Sequence, residues 1–159
     1  MLSEGKSLEK MVLTYGTFDL FHVGHVRLLK RVSEFGDKLI VGCSTDAFNT
    51  LKGKKSVFSY EERAEILLSC KFVSQVIPEE NWEQKVDDIK KYNIDYFAMG
   101  DDWAGKFDSL EEFTNVVYLP RTSGISTTLI KDVVSAVAED KKQRLRNAAS
   151  AVNELIEKL

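Results

Sequence analysis

The chain has 159 residues, of which 43% are hydrophobic and 30% charged, and its net charge is −3. This length suits one domain with a hydrophobic core, and the acidic balance argues against a protein that binds nucleic acid through bulk positive charge. No apolar run is long enough to cross a bilayer, and the first ten residues do not resemble a signal peptide, so we expect neither membrane insertion nor export.

Apolar runs and helical periodicities alternate along the chain. Five runs that end at glycine, proline or polar residues predict strands at 11–15, 38–42, 72–77, 96–99 and 115–119. Apolar residues at helical spacing predict helices over 23–35 and 82–92, and from Ser126 onward. Ser59 and Glu62 have the spacing of a capping box, so another helix should begin there. Residues 49–57 are polar and basic, and we expect a loop.

The alternation of strands and helices predicts an α/β fold. Short connections favour a doubly wound, Rossmann-like sheet of five parallel strands, with helices on both faces. We divide the chain into a lead-in (1–10), a main domain (11–138) and a C-terminal extension (139–159). Leu145, Ala149, Val152, Ile156 and Leu159 recur at intervals of three or four in the extension. This pattern predicts an amphipathic helix that packs either on its own domain or on a partner.

Residues 14–25, TYGTFDLFHVGH, follow the first predicted strand and open the first helix. Backbone N–H groups at such a helix start favour phosphate. Gly16 allows a tight turn, and Gly24 allows a phosphate or base to approach the backbone. His22 and His25, the chain's only two histidines, fall on one face of the first turn, where both can donate to phosphate oxygens. A zinc site is a weaker alternative, because only Asp19 offers another ligand in the motif.

Three further segments carry polar groups suited to a nucleotide. Lys52, Lys54 and Lys55 surround a glycine in a loop that is either a solvated surface or a flap over a polyphosphate. Residues 121–128, RTSGISTT, lead an arginine and five hydroxyl side chains into a helix. Residues 100–103, GDDW, follow the fourth strand and form either a simple turn or a contact to a base, a ribose or a metal-bound phosphate. Cys43 and Cys70 do not form a C-x-x-C pair, so we expect free thiols and a cytoplasmic protein.

With these motifs the chain resembles the cytidylyltransferases, and closely the bacterial glycerol-3-phosphate cytidylyltransferases of teichoic-acid synthesis. The segments that carry the resemblance are TYGTFDLFHVGH, STDAFN, SYEER, VIPEENWEQK, MGDDWAGKFD and VVYLPRTSGISTT. The chain departs from the usual Arg-Tyr-Val-Asp of the family at Lys71 and Ser74, which bears on acceptor binding and rate. Its tail beyond about Ala138 is also longer than usual.

The resemblance implies a set of site residues, a reaction and an assembly. It implies transfer from CTP to glycerol 3-phosphate, Mg²⁺ carried on the CTP phosphates without a metal site in the protein, and a homodimer. Catalytic roles fall to His22, His25, Lys52 and Arg121, and contacts to the acceptor fall to Lys52, Arg63 and Lys85. Contacts to CTP are expected from Thr17, Phe18, Asp19, His22, Val23, Gly24, His25, Lys54, Asp102, Arg121, Thr122, Ser123, Gly124, Ile125, Ser126, Thr127 and Thr128.

Three other functions stay open at this stage. The acceptor can be a different phosphorylated alcohol, such as ribitol phosphate or phosphocholine, or the enzyme can be an adenylyltransferase. A nucleotide-binding module without catalysis is the third, although the intact histidine, lysine and arginine motifs argue against it.

Overall fold

The computed structural model describes residues 8–158, which fall into two compact units that divide after Gly124. The first unit is a five-stranded parallel sheet with the order β3-β2-β1-β4-β5. Its strands are β1 (Met11–Gly16), β2 (Lys38–Ser44), β3 (Gln75–Glu79), β4 (Tyr96–Gly100) and β5 (Asn115–Leu119). Because the strand order reverses between β1 and β4, loops diverge there at the carboxyl ends of the strands, where ligands bind in such sheets.

Four helices of the first unit connect these strands, with two 3-10 turns between β4 and β5. The helices are α1 (Val23–Ser33), α2 (Asp46–Leu51), α3 (Tyr60–Leu68) and α4 (Gln84–Lys91), and the 3-10 turns are Asp101–Trp103 and Asp108–Glu112. The capping box at Ser59 is present, since its hydroxyl accepts from the Glu62 N–H and the Glu62 carboxylate accepts in return. No helix in residues 8–158 is long and apolar enough to cross a membrane.

Alternating residues of the central strands supply two apolar clusters. Leu13 and Ile40 pack with Ile89 of α4 in one cluster, while Val12 and Leu29 of α1 belong to the other, together with Leu67 of α3. Two clusters built from alternate strand residues mean that both faces of the sheet are covered, as a doubly wound fold requires. The predicted α/β class, the five parallel strands and the helices on both faces are therefore confirmed.

Two predictions for the first unit were wrong in detail. The segment assigned to a loop, 49–57, begins inside α2, which Thr45 caps by accepting from the Phe48 N–H. β3 runs from Gln75 to Glu79 and continues through Pro78, whereas the prediction ended at Ile77. A proline is tolerated here because β3 is an edge strand, paired only with β2.

The second unit is dominated by one long helix, α5 (Thr127–Ile156). Ser126 caps it by accepting a hydrogen bond from the Leu129 N–H at 3.0 Å, so the predicted start near Ser126 is confirmed. The helix is continuous through residues 138 and 139, where the sequence analysis placed a domain boundary. Its apolar side chains, including Val137, Leu145 and Val152, are exposed.

Candidate active site

The two histidines of the first motif form a reciprocal cap at the start of α1. His22 is the N-cap, and its Nδ1 accepts a hydrogen bond from the Gly24 N–H at 3.0 Å. His25 Nδ1 accepts in turn from the His22 N–H at 3.2 Å. The two rings stack with their centroids 3.8 Å apart. The cap therefore fixes both rings on the same helix turn, as their spacing predicted.

These hydrogen bonds fix the tautomer of each ring. Because Nδ1 is an acceptor in both, the neutral imidazoles carry their hydrogen on Nε2. Burial, followed by the positive charge of nearby Arg121, lowers the pKa of His22. Burial is also the main cause that lowers the pKa of His25 to about 4, and the charges of His22 and Arg121 add to it. At neutral pH the pair thus offers two uncharged Nε2–H donors.

The loop before α1 is held in an unusual backbone conformation. Phe18 and Leu20 both have positive φ, at 53° and 49°. The Phe18 ring is buried edge-on against His25, and a Cβ at Gly16 would lie only 2.7 Å from Phe18 Cε2. Close packing against Phe18 thus favours glycine at position 16, whose φ is not among the positive ones. The predicted CTP contact at Phe18 falls on a residue whose ring packs against His25.

Two other residues of this motif form hydrogen bonds to neighbouring segments of the chain. The hydroxyl of Thr17 donates to Asn49 of α2 at 3.0 Å. Asp19 is buried, and its two carboxylate oxygens accept from the N–H groups of Val57 and Phe58 at 2.8 and 3.0 Å. Asp19 therefore connects the loop before α1 to the segment that follows the lysines at 52–55. The prediction gave Asp19 a contact to CTP and did not include this connection.

Arg63 was predicted to contact the acceptor, and its surroundings in the structure differ from that expectation. Its side chain is fully buried and donates to the carbonyl oxygens of Thr17 (2.8 Å), Ser44 (2.8 Å) and Phe58 (3.1 Å). It also forms an ion pair with Asp46 at 2.7 Å. Since these contacts occupy four of the five guanidinium N–H groups, Arg63 connects the loops around the site from inside the fold.

Lys52 and Lys85, the other two predicted acceptor residues, come together around a carboxylate that the sequence analysis missed. Glu79 Oε1 lies 2.9 Å from Lys85 Nζ, and Oε2 lies 3.8 Å from Lys52 Nζ. The hydroxyl of Ser44 donates to the same Oε2 at 2.5 Å and accepts from Lys52 at 2.8 Å. The only sequence signal for Glu79 was its place at the carboxyl end of a strand, which the misplaced end of β3 hid.

Aromatic rings enclose this lysine pair. Lys85 Nζ lies 4.4 Å from the Tyr15 ring centroid, and Lys52 Nζ lies 4.4 Å from that of Phe48. Trp82 lies near both ammonium groups, at 4.9 and 5.6 Å. Beside them is an open cavity of about 440 Å³. It is lined by Phe48, Leu51, Lys52, Lys54, Glu80, Asn81, Trp82, Glu83 and Trp103.

The segment after β5 reaches the site through its first residues. Arg31 of α1 donates to the Pro120 carbonyl at 2.5 Å, and Arg121 forms an ion pair with Asp102 at 2.8 Å. The Arg31 bond ties this segment to α1, and the positive charge of Arg121 lowers the pKa of both histidines.

The remaining residues of the RTSGISTT motif divide between the two units. Thr122, Ser123 and Gly124 belong to the first unit, and Gly124 has a positive φ of 79°. Ile125, Ser126, Thr127 and Thr128 belong to the second unit, where the last two begin α5. The contacts to CTP that were predicted for these seven residues stay predictions. The same holds for Val23 and Gly24 at the start of α1.

Known proteins resemble this chain in sequence over most of its length. The family model described as cytidylyltransferase-like matches residues 13–133. A glycerol-3-phosphate cytidylyltransferase from Bacillus spizizenii is 62% identical, over 77% of this chain and 95% of its own. The enzyme of that name from Bacillus subtilis is 57% identical, over 80% of this chain and 99% of its own.

A solved structure supports the fold independently. A lipopolysaccharide core biosynthesis protein from Thermoplasma volcanium matches with a TM-score of 0.63 at 22% identity, and the match covers 72% of this chain and 99% of that protein. The family model and the sequence relatives identify the chain. It belongs to the cytidylyltransferase-like family and, within that family, to the glycerol-3-phosphate cytidylyltransferases.

Proposed function

We propose that the chain transfers the cytidylyl group of CTP to glycerol 3-phosphate, producing CDP-glycerol and pyrophosphate. The observation that carries this proposal is the identity of 57–62% with enzymes named for that activity, over 95–99% of their length. Two features of the fold support it. His22 and His25 offer N–H donors suited to phosphate at a helix start, and Lys52 and Lys54 line an open cavity.

The reaction is an in-line displacement at the α-phosphorus of CTP. An oxygen of the acceptor phosphate forms a new bond to this phosphorus, the bond to the α,β-bridging oxygen breaks, and pyrophosphate leaves. Because the acceptor phosphate is already an anion near neutral pH, the step needs no general base. The protein's contribution is to orient two anions and to stabilise the charge that develops on the bridging and leaving oxygens.

The geometry suits a division of this work between the two parts of the site. The Nε2–H groups of His22 and His25 are assigned to the α-phosphoryl and leaving oxygens, beside the positive end of α1. Lys52 and Lys54, which line the cavity, are assigned to the acceptor side and the polyphosphate. Arg121, whose charge acts on both histidines, is assigned to reduce repulsion between the two anions.

Mg²⁺ is assigned to the triphosphate of the incoming CTP. Among residues 8–158, no three His, Cys, Asp or Glu side chains are grouped as a metal site would need. This residue set fits an ion that arrives with the nucleotide, since Mg²⁺ is often held by substrate phosphates and a few carboxylates. When bound, Mg²⁺ would neutralise part of the phosphate charge.

The assembly and location are part of the same proposal. We assign a homodimer on the family resemblance stated above. We assign a cytoplasmic location because Cys43 and Cys70 are both free thiols, as a reducing compartment favours.

The proposal is tested by product analysis with a panel of substrates. The chain is incubated with CTP or ATP and with glycerol 3-phosphate, ribitol phosphate or phosphocholine, and the products are identified by mass spectrometry. We expect CDP-glycerol, together with an equal amount of pyrophosphate, as the dominant product. A dominant product from another alcohol phosphate or from ATP would contradict the proposal, and so would binding of CTP without release of pyrophosphate.

A further inference from the structure

Glu79 occupies the point where the two lysines meet, and the reaction as proposed does not yet use it. Its side chain is only 4% exposed, and that of Lys85 is equally buried. Each oxygen of the carboxylate faces one lysine: Oε1 binds Lys85 directly, whereas Oε2 lies 3.8 Å from Lys52 Nζ and is linked to it through the Ser44 hydroxyl. Charged side chains are almost never fully buried unless they are paired, and removing one partner of such a pair leaves an uncompensated charge.

The cluster has more positive than negative charge. One carboxylate faces two ammonium groups, which leaves a formal surplus of one positive charge in a buried place. Burial lowers the pKa of Lys52, and the charges of Lys54 and Lys85 lower it further, whereas Glu79 raises it. The site therefore tolerates its cations largely because Glu79 is there, and an arriving anion would complete the neutralisation.

The three charged residues of the cluster differ in their access to the cavity. Lys52 lines the cavity, whereas Glu79 and Lys85 are not among its lining residues. Among residues 8–158, Lys52 makes one hydrogen bond, to Ser44, and an ammonium has three N–H donors. The donors that remain are available to a ligand in the cavity.

We propose that Glu79 is a positioning residue for the acceptor: its carboxylate, anchored by Lys85, holds the ammonium group of Lys52 in place for the phosphate of glycerol 3-phosphate. This inference rests on the proposed function for the identity of the acceptor. Glu79 acts through the lysines and does not touch the substrate. Because a lysine side chain has four rotatable bonds, fixing its ammonium in advance reduces the entropy that binding would otherwise lose.

The test compares Michaelis constants for the two substrates in the variant Glu79→Gln, which keeps the shape of the side chain and removes its charge. We expect the KM for glycerol 3-phosphate to rise about tenfold or more, because removing one partner of a buried ion pair is costly. The KM for CTP should change by less than about twofold, because the histidine cap is untouched. Glu65→Gln, which neutralises an exposed carboxylate on α3, is the matched control and should behave like the wild type.

Two outcomes would overturn the inference. A lower KM for glycerol 3-phosphate would mean that Glu79 competes with the acceptor phosphate for the lysines. An equal change in both KM values, or a loss of kcat and stability alone, would mean a structural role. If Glu79→Gln does not fold, Ser44→Ala tests the same point, since it removes only the hydroxyl between Lys52 and Glu79. It should raise the KM for the acceptor alone, and an unchanged value would contradict the inference.

A second measurement needs no turnover. The titration of Lys52 is followed through its ¹³Cε resonance in the wild type and in Glu79→Gln. We expect the pKa of Lys52 to fall in the variant, and an unchanged pKa would show that Glu79 does not hold this lysine. If the wild type produced no CDP-glycerol, the proposed function would fail, whereas this titration would still decide whether Glu79 positions Lys52.

Discussion

At the scale of single residues, the two nitrogens of each active-site histidine have separate tasks. Nδ1 of His22 and of His25 accepts a backbone hydrogen bond and so belongs to the helix cap. Nε2 is then left with the hydrogen and is assigned to phosphate. A substitution that replaces the function of only one of the two nitrogens can therefore separate the effect on stability from the effect on catalysis.

The amide variants of His25 make this separation. His25→Asn places its oxygen near the position of Nδ1 and keeps the cap, so it should be nearly as stable as the wild type. It removes the Nε2 donor, and we expect kcat to fall by about 10²–10³, as for His25→Ala. His25→Gln places its amide near Nε2, so it should retain more activity than Asn but lose about 1 kcal/mol of stability with the cap. Steady-state kinetics and urea unfolding measure both effects, and equal activity in the two variants would contradict the assignment.

The low pKa of His25 makes a separate prediction for stability. In the folded protein this pKa is about 4, against an ordinary value of 6.5, so below pH 6.5 the unfolded chain binds a proton that the folded chain does not. The free energy of unfolding should therefore fall as the pH decreases from about 6.5 towards 4, by on the order of 2 kcal/mol from this group. Comparing denaturant unfolding of the wild type and His25→Asn between pH 7 and 4.5 isolates the effect. If the free energy of unfolding changed with pH in the same way in both proteins, the prediction would be refuted.

The site residues that could be predicted from the sequence differ from the others in how far apart the interacting partners lie along the chain. His22 and His25 are three residues apart, so one helix turn was enough to bring them together. Glu79 meets Ser44 across 35 residues, and Arg63 meets Thr17 across 46. Contacts of this kind depend on strand order and register, which composition and spacing do not contain.

At the scale of elements, the strands were predicted well because apolar runs between glycines and prolines have few alternatives in an α/β chain. α2 was missed because its six residues include Asn49 and Thr50, which have poor helix propensity. Tertiary contacts stabilise it instead: Phe48 is buried, and Asn49 bonds both Thr17 and Ser56. Its periodicity was too short to be visible in the sequence.

Arg63 connects these elements, and its replacement should affect stability first. Arg63→Lys keeps a charge but cannot reach the Thr17, Ser44 and Phe58 carbonyl oxygens together. We expect a loss of about 2–4 kcal/mol in the free energy of unfolding, because buried acceptors lose their donors. Urea unfolding measures the loss, with Arg27→Lys on the exposed part of α1 as the control. A normal stability with a raised KM for glycerol 3-phosphate alone would restore the acceptor contact that the family resemblance implied.

At the scale of the whole molecule, the site lies where the sheet reverses its strand order. The histidine loop follows β1 and the Asp102 turn follows β4, which are neighbours in the sheet. The position of this edge was predictable, because alternating strands and helices imply parallel pairing. The division into two units after Gly124 and the continuity of α5 were not predictable. A helical pattern through residue 138 does not show where one compact unit ends and the next begins.

The end of α5 lies outside the match to the family, which stops at residue 133. A chain shortened after Ala138 retains every residue that the reaction uses, so its kcat and both KM values should equal those of the full chain. Sedimentation velocity on the same two proteins then shows whether the helix carries the dimer contact. A large loss of activity in the shortened chain, with unchanged thermal stability of the sheet unit, would contradict this division of roles.

The most direct test of the account is a crystal structure of the chain with CDP-glycerol bound. The account predicts that the phosphate attached to cytidine lies within hydrogen-bond distance of Nε2 of both His22 and His25. It predicts that the phosphate attached to glycerol lies against Lys52 in the cavity. A CDP-glycerol molecule whose phosphates contact neither the histidine pair nor Lys52 would contradict it.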